Sequence, residues 1–580
     1  MATTIQKTFI IAASLLLTLS AVTTDVAAKP TKKSFINDIE YTGINFKLDE
    51  QYTGVELSKE GFNLLGTASD EFAQQINSNK YLKKIRRLHE DKSYKELRKN
   101  SILSKKTKTK SPKLENWYRI DITKGMTQQE ILDIYNSLVD IPYISIVELE
   151  SPPISSGFEQ CPALNCEPDL PPGDGGGTPG NTPDLQSYQT YLGQSPLGID
   201  ALYAWTKTGG NGQGVKIIDM ENGFNSNHED LPTTFVRKYD YDDSDHGTAV
   251  LSVVGAKRDG KGVTGIAYGA QLGFHGWSPS IAQAINNAAG YLSAGDVIIL
   301  EGQINRNINN GDSCTSQNQN ECVPLEWNQA TFDVISAVTN RGIIVIEAAG
   351  NGNENLDDPI YQNRFNRNTR DSGAFLIAAT NPSASIARSY FSNHGTRIDF
   401  NGWGNEVAAA GLYGNTLFNG GINQRYGDGF AGTSSASPIV AGAVAALQGF
   451  SKNAKGQTLS VQTIKNILTA TGVQEPSGVQ VGVRPNLKGA IQYLESALVA
   501  PKLTAESYYC HGEYNLSWNS ISSASSYKIF LDGSYFASTT STSKYLNLPR
   551  TQTATVQACT ASSCSEHSNS VSLRYAPVCY

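Results

Sequence analysis

Beyond its first 28 positions the 580-residue chain has no run of 18 consecutive apolar residues, so no later segment can cross a bilayer as a helix. No internal repeat is visible. The eight cysteines lack the CxxC pairs and histidine partners of a tetrahedral zinc site, which leaves them to form disulfides in an oxidising compartment. A basic face is missing too. The formal net charge is −7, and the block Lys80–Lys113 holds Lys and Arg in excess over Asp and Glu, 14 to 3. A nucleic-acid binder needs basic residues along a folded surface. An acidic bulk with one solvated basic block does not supply them.

What is present points to export and several domains. Lys7 gives a weak positive start, Phe9–Val22 is an apolar run, and Val26-Ala27-Ala28 is a small-residue cleavage site. Residues 1–28 are therefore expected to be a signal peptide, with Lys29 opening a secreted chain. Residues 29–151 follow as a small α+β unit. Within it, Trp117–Ile122 alternates as a strand, and Thr127 with Glu130 forms a capping box before a helix. Ile131, Ile134, Tyr135 and Leu138 recur at helical spacing, and Tyr143–Val147 reads as a second strand. Residues 152–183 form a Pro/Gly-rich linker that contains Cys161 and Cys166, expected to pair locally, as are Cys314 and Cys322. The connectivity of Cys510, Cys559, Cys564 and Cys579 stays open.

Residues 184–496 alternate short apolar strands with helical stretches, the pattern of a mainly parallel sheet covered on both faces. Strands are expected near 215–218, 296–300, 342–346 and 374–379, and helices near 281–292, 330–339 and 434–450. Catalytic groups in such sheets lie at the carboxyl ends of strands. Residues 500–580 change to short alternating strands around Trp518 with an Asp532-Gly533 turn, which predicts a small all-β sandwich.

Three segments carry chemistry. Asp219 ends the strand that begins at Val215, His246 opens an apolar helical run, and Ser434 starts a helix rich in Ala, Val and Gly. Hydrolysis by a serine needs a base to take its proton and an acid to orient that base. His228, His275 and His394 have no such context and read as packing or surface residues.

Gly432-Thr433-Ser434-Ser435-Ala436-Ser437-Pro438 resembles the nucleophile motif of the subtilisin-like serine proteases. His246-Gly247-Thr248, the Asp219 strand and Ala348-Ala349-Gly350-Asn351-Gly352 resemble that family's other blocks, in the same order, across about residues 198–492. The resemblance implies a three-layer α/β fold with Ser434 as nucleophile, His246 as base and Asp219 as orienting acid. It also implies an oxyanion hole from the Asn351 side chain and the Ser434 N–H. The usual Asp-x-Gly block is replaced by Asp219-Met220-Glu221-Asn222-Gly223; Glu221 is the rival acid, but it stands beyond the strand. Glu301 ends a strand where the family shapes its cleft, facing a basic substrate side chain or water.

The same resemblance implies that 29–151 is an inhibitory prodomain cut away during maturation, after Glu148–Glu150 or in the linker. It makes 500–580 fibronectin type III-like, a surface- or polymer-binding module. The expected partners are protein and peptide substrates and the chain's own prodomain. No organic cofactor is required; a structural calcium is an open alternative at Asp240, Asp242, Asp243 and Asp245 or at Asp357-Asp358. Two other functions stay open on the same residues: a peptide ligase or cyclase, and a non-catalytic binding protein on a protease fold.

Overall fold

The structure is a computed structural model. It describes residues 30–33, 40–49, 55–58, 61–64, 85–89, 112–156, 181–240, 244–308, 314–316, 318–496, 500–507, 512–521, 524–560 and 564–575. The signal segment, the core of the basic block, most of the linker and the Cys161/Cys166 pair lie outside these residues.

Among the described residues the N-terminal unit holds a four-stranded antiparallel sheet, one α-helix and a separate two-stranded hairpin, Val55–Ser58 with Gly61–Leu64. The sheet's strands are β1 (Gly43–Leu48), β2 (Ile85–Arg87), β3 (Trp117–Asp121) and, after helix α1 (Gln128–Val139), β4 (Ile144–Glu150), in the order β2-β3-β1-β4. Both bonds of the expected capping box form: Thr127 accepts from the Glu130 N–H, and Glu130 accepts from the Thr127 N–H. The four buried residues of α1 are Ile131, Ile134, Tyr135 and Leu138, the stripe read from the spacing. After β4 the chain forms a two-residue strand, β5 (Ile154–Ser155).

The central unit is built on seven parallel strands: β6 (Lys216–Met220), β7 (Arg237–Lys238), β8 (Gln271–His275), β9 (Val297–Leu300), β12 (Ile344–Ala348), β13 (Phe375–Thr380) and β14 (Phe400–Trp403). Their order is β14-β13-β12-β9-β6-β8-β7, with β6 and β9 side by side near the middle. Two further short strands, β10 (Gly302–Asn305) and β11 (Cys322–Pro324), pair outside this sheet.

Alternation along the strands divides the core in two. Ile217, Ile299, Ile346 and Ile377 face one side, where helices α2 (Asp245–Gly255) and α5 (Thr433–Lys455) pack. Ile218, Ile298, Val345 and Leu376 face the other, against α3 (Ile281–Ala289) and α4 (Gln329–Thr339). Period-two patterning with apolar residues on both faces is what a doubly covered parallel sheet demands.

The N-terminal sheet packs on α3 and α4. Leu88, Leu114 and Trp117 join the core of that face. Lys47 Nζ lies 2.7 Å and Trp117 Nε1 2.9 Å from Asp333 of α4. Glu148 takes the N–H groups of Gln329 and Ala330, capping the start of α4 where a negative charge is favoured.

The C-terminal strands form two antiparallel sheets, of three and four strands, around one core that includes Leu516, Trp518, Ile529 and Val556. Disulfides join Cys314 to Cys322, as expected, and Cys559 to Cys564. Among the described residues no helix is long and apolar enough to cross a membrane.

Candidate active site

The site lies at the carboxyl edge of β6 and β9, under the N-termini of α2 and α5. His246 is the second residue of α2, whose N-cap Ser244 accepts from the His246 N–H. The ring is buried and meets Phe430 edge-on, with centroids 5.4 Å apart. Its Nδ1 lies 2.6 Å from Glu221 Oε2, at ion-pair distance though without the alignment of a hydrogen bond.

The acid beside His246 is therefore Glu221, not Asp219, and the expected assignment is corrected. Asp219 sits within β6, paired with Phe274 on one side and Ile299 on the other. Neither of its carboxylate oxygens finds a hydrogen-bond donor. Burial, and then the charge of Glu221, hold its carboxyl well above the usual range. Two residues further on, past the strand end, Glu221 has room to reach α2. Gly247 makes that approach possible: a Cβ there would stand 2.2 Å from Gly223 O and 3.1 Å from Glu221 Cγ.

Ser434 is fully buried at the second residue of α5. The helix starts from Gly432 at φ 111°, a backbone state that favours glycine. Pro438 stands at the sixth helical residue, past the first turn, where its missing N–H leaves the Ser434 carbonyl without its helical donor. His246 Nε2 has no hydrogen-bond partner; Ser434 Oγ instead lies 2.8 Å from Ser156 Oγ.

Ser156, which follows β5, occupies the centre of the site. β5 pairs antiparallel with β10, Gly302 opposite Ser155 and Gln303 opposite Ile154. The Ser156 N–H donates to Glu301 O at 3.3 Å. The Ser156 carbonyl accepts from Asn351 Nδ2 at 2.6 Å and from the Ser434 N–H at 3.2 Å. Asn351 has its amide orientation imposed on it. Its Oδ1 accepts from the Thr433 N–H at 2.9 Å and the Thr433 hydroxyl at 3.0 Å, which turns Nδ2 towards Ser156. Gln319 Oε1 accepts a second Nδ2 hydrogen at 2.7 Å, and Gln303 accepts from the Asn351 N–H at 2.8 Å. Two N–H donors converging on one carbonyl oxygen beside a serine hydroxyl are the geometry that stabilises an oxyanion.

Glu301 departs from its expectation as well. Its side chain faces neither a substrate cation nor water: it is buried, and Oε1 accepts from Ser437 Oγ at 2.7 Å. Burial, then the charge of Asp219, raises its carboxyl well above the usual range. Of the acidic positions considered for calcium, Asp240 accepts from Arg237 and from the Phe224 N–H, and Asp357 accepts from Thr396. Asp242 and Asp243 lie outside the described residues. Among the described residues no three His, Cys, Asp or Glu side chains gather as metal ligands.

Sequence reasoning missed Ser156, Gln303, Gln319 and Thr433, which act through contacts between distant segments. Glu221 did leave a signal: Glu221-Asn222-Gly223 keeps the acid-x-Gly spacing.

Fold and site together define an α/β protein with a carboxylate, an imidazole and a helix-start serine at the carboxyl edge of a parallel sheet. The model of the subtilase family (Peptidase S8) matches residues 198–489, half of the chain, and the chain belongs to that family. It is 28% identical over 330 residues to an extracellular protease of Xanthomonas campestris, covering 49% of this chain and 52% of that protein. It is 26% identical to thermitase of Thermoactinomyces vulgaris, covering 51% of this chain and 95% of thermitase. The chain thus spans about half the length of the Xanthomonas relative. Fervidolysin from Fervidobacterium pennivorans, a keratinolytic enzyme related to subtilisin, is 16% identical with a TM-score of 0.47, over 92% of this chain and 74% of that one.

Proposed function

We propose that this chain is a secreted serine endopeptidase, made as a zymogen, that hydrolyses peptide bonds of proteins. Ser434 is the nucleophile, His246 the general base, and Glu221 the acid that orients His246 and stabilises its charged form. Asn351 Nδ2 and the Ser434 N–H receive the oxyanion, and the start of α5 adds a favourable partial positive charge there. The observation that carries this reading is the Ser156 carbonyl, held by both of these donors beside the Ser434 hydroxyl.

Attack by Ser434 Oγ on the substrate carbonyl transfers the serine proton to His246. The imidazolium then protonates the departing amine, and water hydrolyses the acyl-enzyme by the same route. Residues 29–151 are the inhibitory prodomain, a role supported by their packing on α3 and α4 and by β5, which follows them into the cleft. The C-terminal sheets are a fibronectin type III-like module for a surface or polymer. Export is supported by the signal-like start and by the extracellular name of the Xanthomonas relative.

The test is peptide cleavage by the processed protein beside Ser434→Ala. The substitution should lower turnover by about 10⁶-fold, the size of the loss in subtilisin. Equal cleavage by both proteins would remove the nucleophile assignment, and failure of Ser434 to react with a fluorophosphonate would remove the enzyme reading.

A further inference from the structure

We infer that Gln303 and Gln319 form a two-amide relay that links substrate binding, one residue before the scissile carbonyl, to the aim of the oxyanion donor. Gln303 binds a substrate main-chain carbonyl, and Gln319 is the positioning residue for Asn351. The inference rests on the proposed hydrolase and deepens it by naming what its oxyanion hole depends on.

Residues 154–156, lying along β10 with the Ser156 carbonyl on the oxyanion donors, stand in for a bound peptide and show the relay engaged. Gln303 Nε2 donates to Ser155 O at 3.2 Å and to Gln319 Oε1 at 2.9 Å. Asn351 Nδ2 divides its two hydrogens in the same way, between Ser156 O at 2.6 Å and Gln319 Oε1 at 2.7 Å. Gln303 Oε1 closes the ring by accepting from the Asn351 N–H at 2.8 Å. A side-chain amide can be turned either way round, but here each orientation is forced. The Thr433 and Asn351 N–H groups can act only as donors, so Asn351 Oδ1 faces the first and Gln303 Oε1 the second. Both NH2 groups then point at Gln319, which has to present its oxygen between them. Turning any one of the three would set donor against donor among side chains that are all buried.

The backbone fixes both glutamines. Gln303 belongs to β10, the strand that β5 joins. Gln319 is held by its own carbonyl, which accepts from the Cys322 N–H at 3.2 Å, and by the disulfide that ties Cys322 to Cys314 on its other side. Cys322 opens β11 opposite Asn305 of β10, so the two glutamines sit on paired strands or at their edge. The Cys322 carbonyl also presses on the turn that carries Asn351: a Cβ on Gly352 would stand 2.3 Å from its oxygen. Asn351 stabilises charge that develops only in the transition state, so an error in its aim falls on kcat. Gln303 touches the peptide before any bond changes, so its loss falls on KM as well.

The experiment is steady-state peptide cleavage by the processed protein, with active sites counted by fluorophosphonate labelling, for Gln319→Leu, Asn351→Ala and the double variant. Gln319→Leu should lower kcat about 30-fold, short of the ~10²–10³ lost with the donor itself, and leave KM within about twofold. The double variant should stay within about twofold of Asn351→Ala, because a relay with nothing to aim adds no further loss. Losses that multiply in the double variant overturn the inference. Gln319→Glu keeps the accepting oxygen and should hold kcat within about threefold of wild type; a fall as deep as that of Gln319→Leu makes Gln319 a packing residue and overturns it too. Gln303→Leu should raise KM about fivefold on an ordinary peptide. That penalty should shrink on a peptide with a thioamide, a poorer acceptor, in place of the carbonyl one residue before the scissile one. An equal penalty on both peptides overturns the substrate end of the relay. Wild-type protein that neither cleaves peptide nor takes the label overturns the protease reading and the relay together, whereas every other adverse result leaves the protease reading standing.

Discussion

His246 has two acids at the end of β6 and touches one of them. Glu221 Oε2 is 2.6 Å from Nδ1, whereas Asp219 is held inside β6 and finds no donor. Removing the orienting acid of a Ser-His-acid triad costs about 10⁴-fold, because the imidazole loses its tautomer and the support of its charge. Glu221→Gln should therefore lower kcat by about 10⁴-fold with little change in KM. Asp219→Asn replaces a carboxyl that does not touch His246 by an amide of equal size and should change kcat less than tenfold. Steady-state kinetics on the two variants decide between these acids, and the reverse ranking would return the role to Asp219. Asn351→Ala should cost ~10²–10³ in kcat, as for the equivalent donor in subtilisin, with Thr433→Val following it part of the way because Thr433 aims the amide.

The elements show why some of this was legible and some was not. Ser434 and His246 stand at helix starts, and local sequence specifies such starts: glycine for the turn before α5, and a Ser cap before α2. The capping box and apolar stripe of α1 were equally local, and so were the central strands, whose apolar runs are long enough to be unambiguous. Asp219 was misplaced because the strand runs on to Met220, so the last residue with an acid inside the sheet is not the first free of it. Gln319 and Ser156 come to Asn351 from 32 and 195 positions away, contacts that no periodicity encodes.

One contact between elements carries a pH dependence. His89 follows Leu88 into the layer between the N-terminal sheet and α4, is buried, and has no hydrogen-bond partner. Burial lowers its pKa from 6.5 to about 4; Asp333 of α4 opposes the shift and Arg86 adds to it. A histidine held neutral in the packed state weakens that packing once the free N-terminal unit takes up a proton that the bound form refuses. If residues 29–151 act as the proposed inhibitor, their binding as a separate chain should hold above pH 6.5 and weaken by up to about 300-fold as pH falls towards 4. His89→Leu should flatten that dependence in an inhibition titration across pH. An unchanged slope would place the pH response elsewhere.

At the scale of the whole molecule the two flanking units are joined to the centre in different ways. Leu88, Leu114 and Trp117 complete the core over α3 and α4, whereas the C-terminal sheets enclose a core of their own around Trp518 and Val556. Each large apolar side chain that a core loses exposes surface worth about 1.5–3 kcal/mol. A central unit made without residues 29–151 must therefore fold with α3 and α4 uncovered and with the start of α4 lacking the Glu148 cap. Its yield of active enzyme should fall at least tenfold, and adding residues 29–156 as a separate chain during refolding should restore it. Deleting residues 500–580 removes no side chain from either face of the central sheet, so kcat/KM on short peptides should stay within about twofold of the full chain. Refolding yield and peptide turnover, measured on both truncations, test the asymmetry. If the C-terminal deletion were the one that failed to refold, the two units would have exchanged roles: the sandwich would serve as the folding partner and the N-terminal unit as the dispensable one.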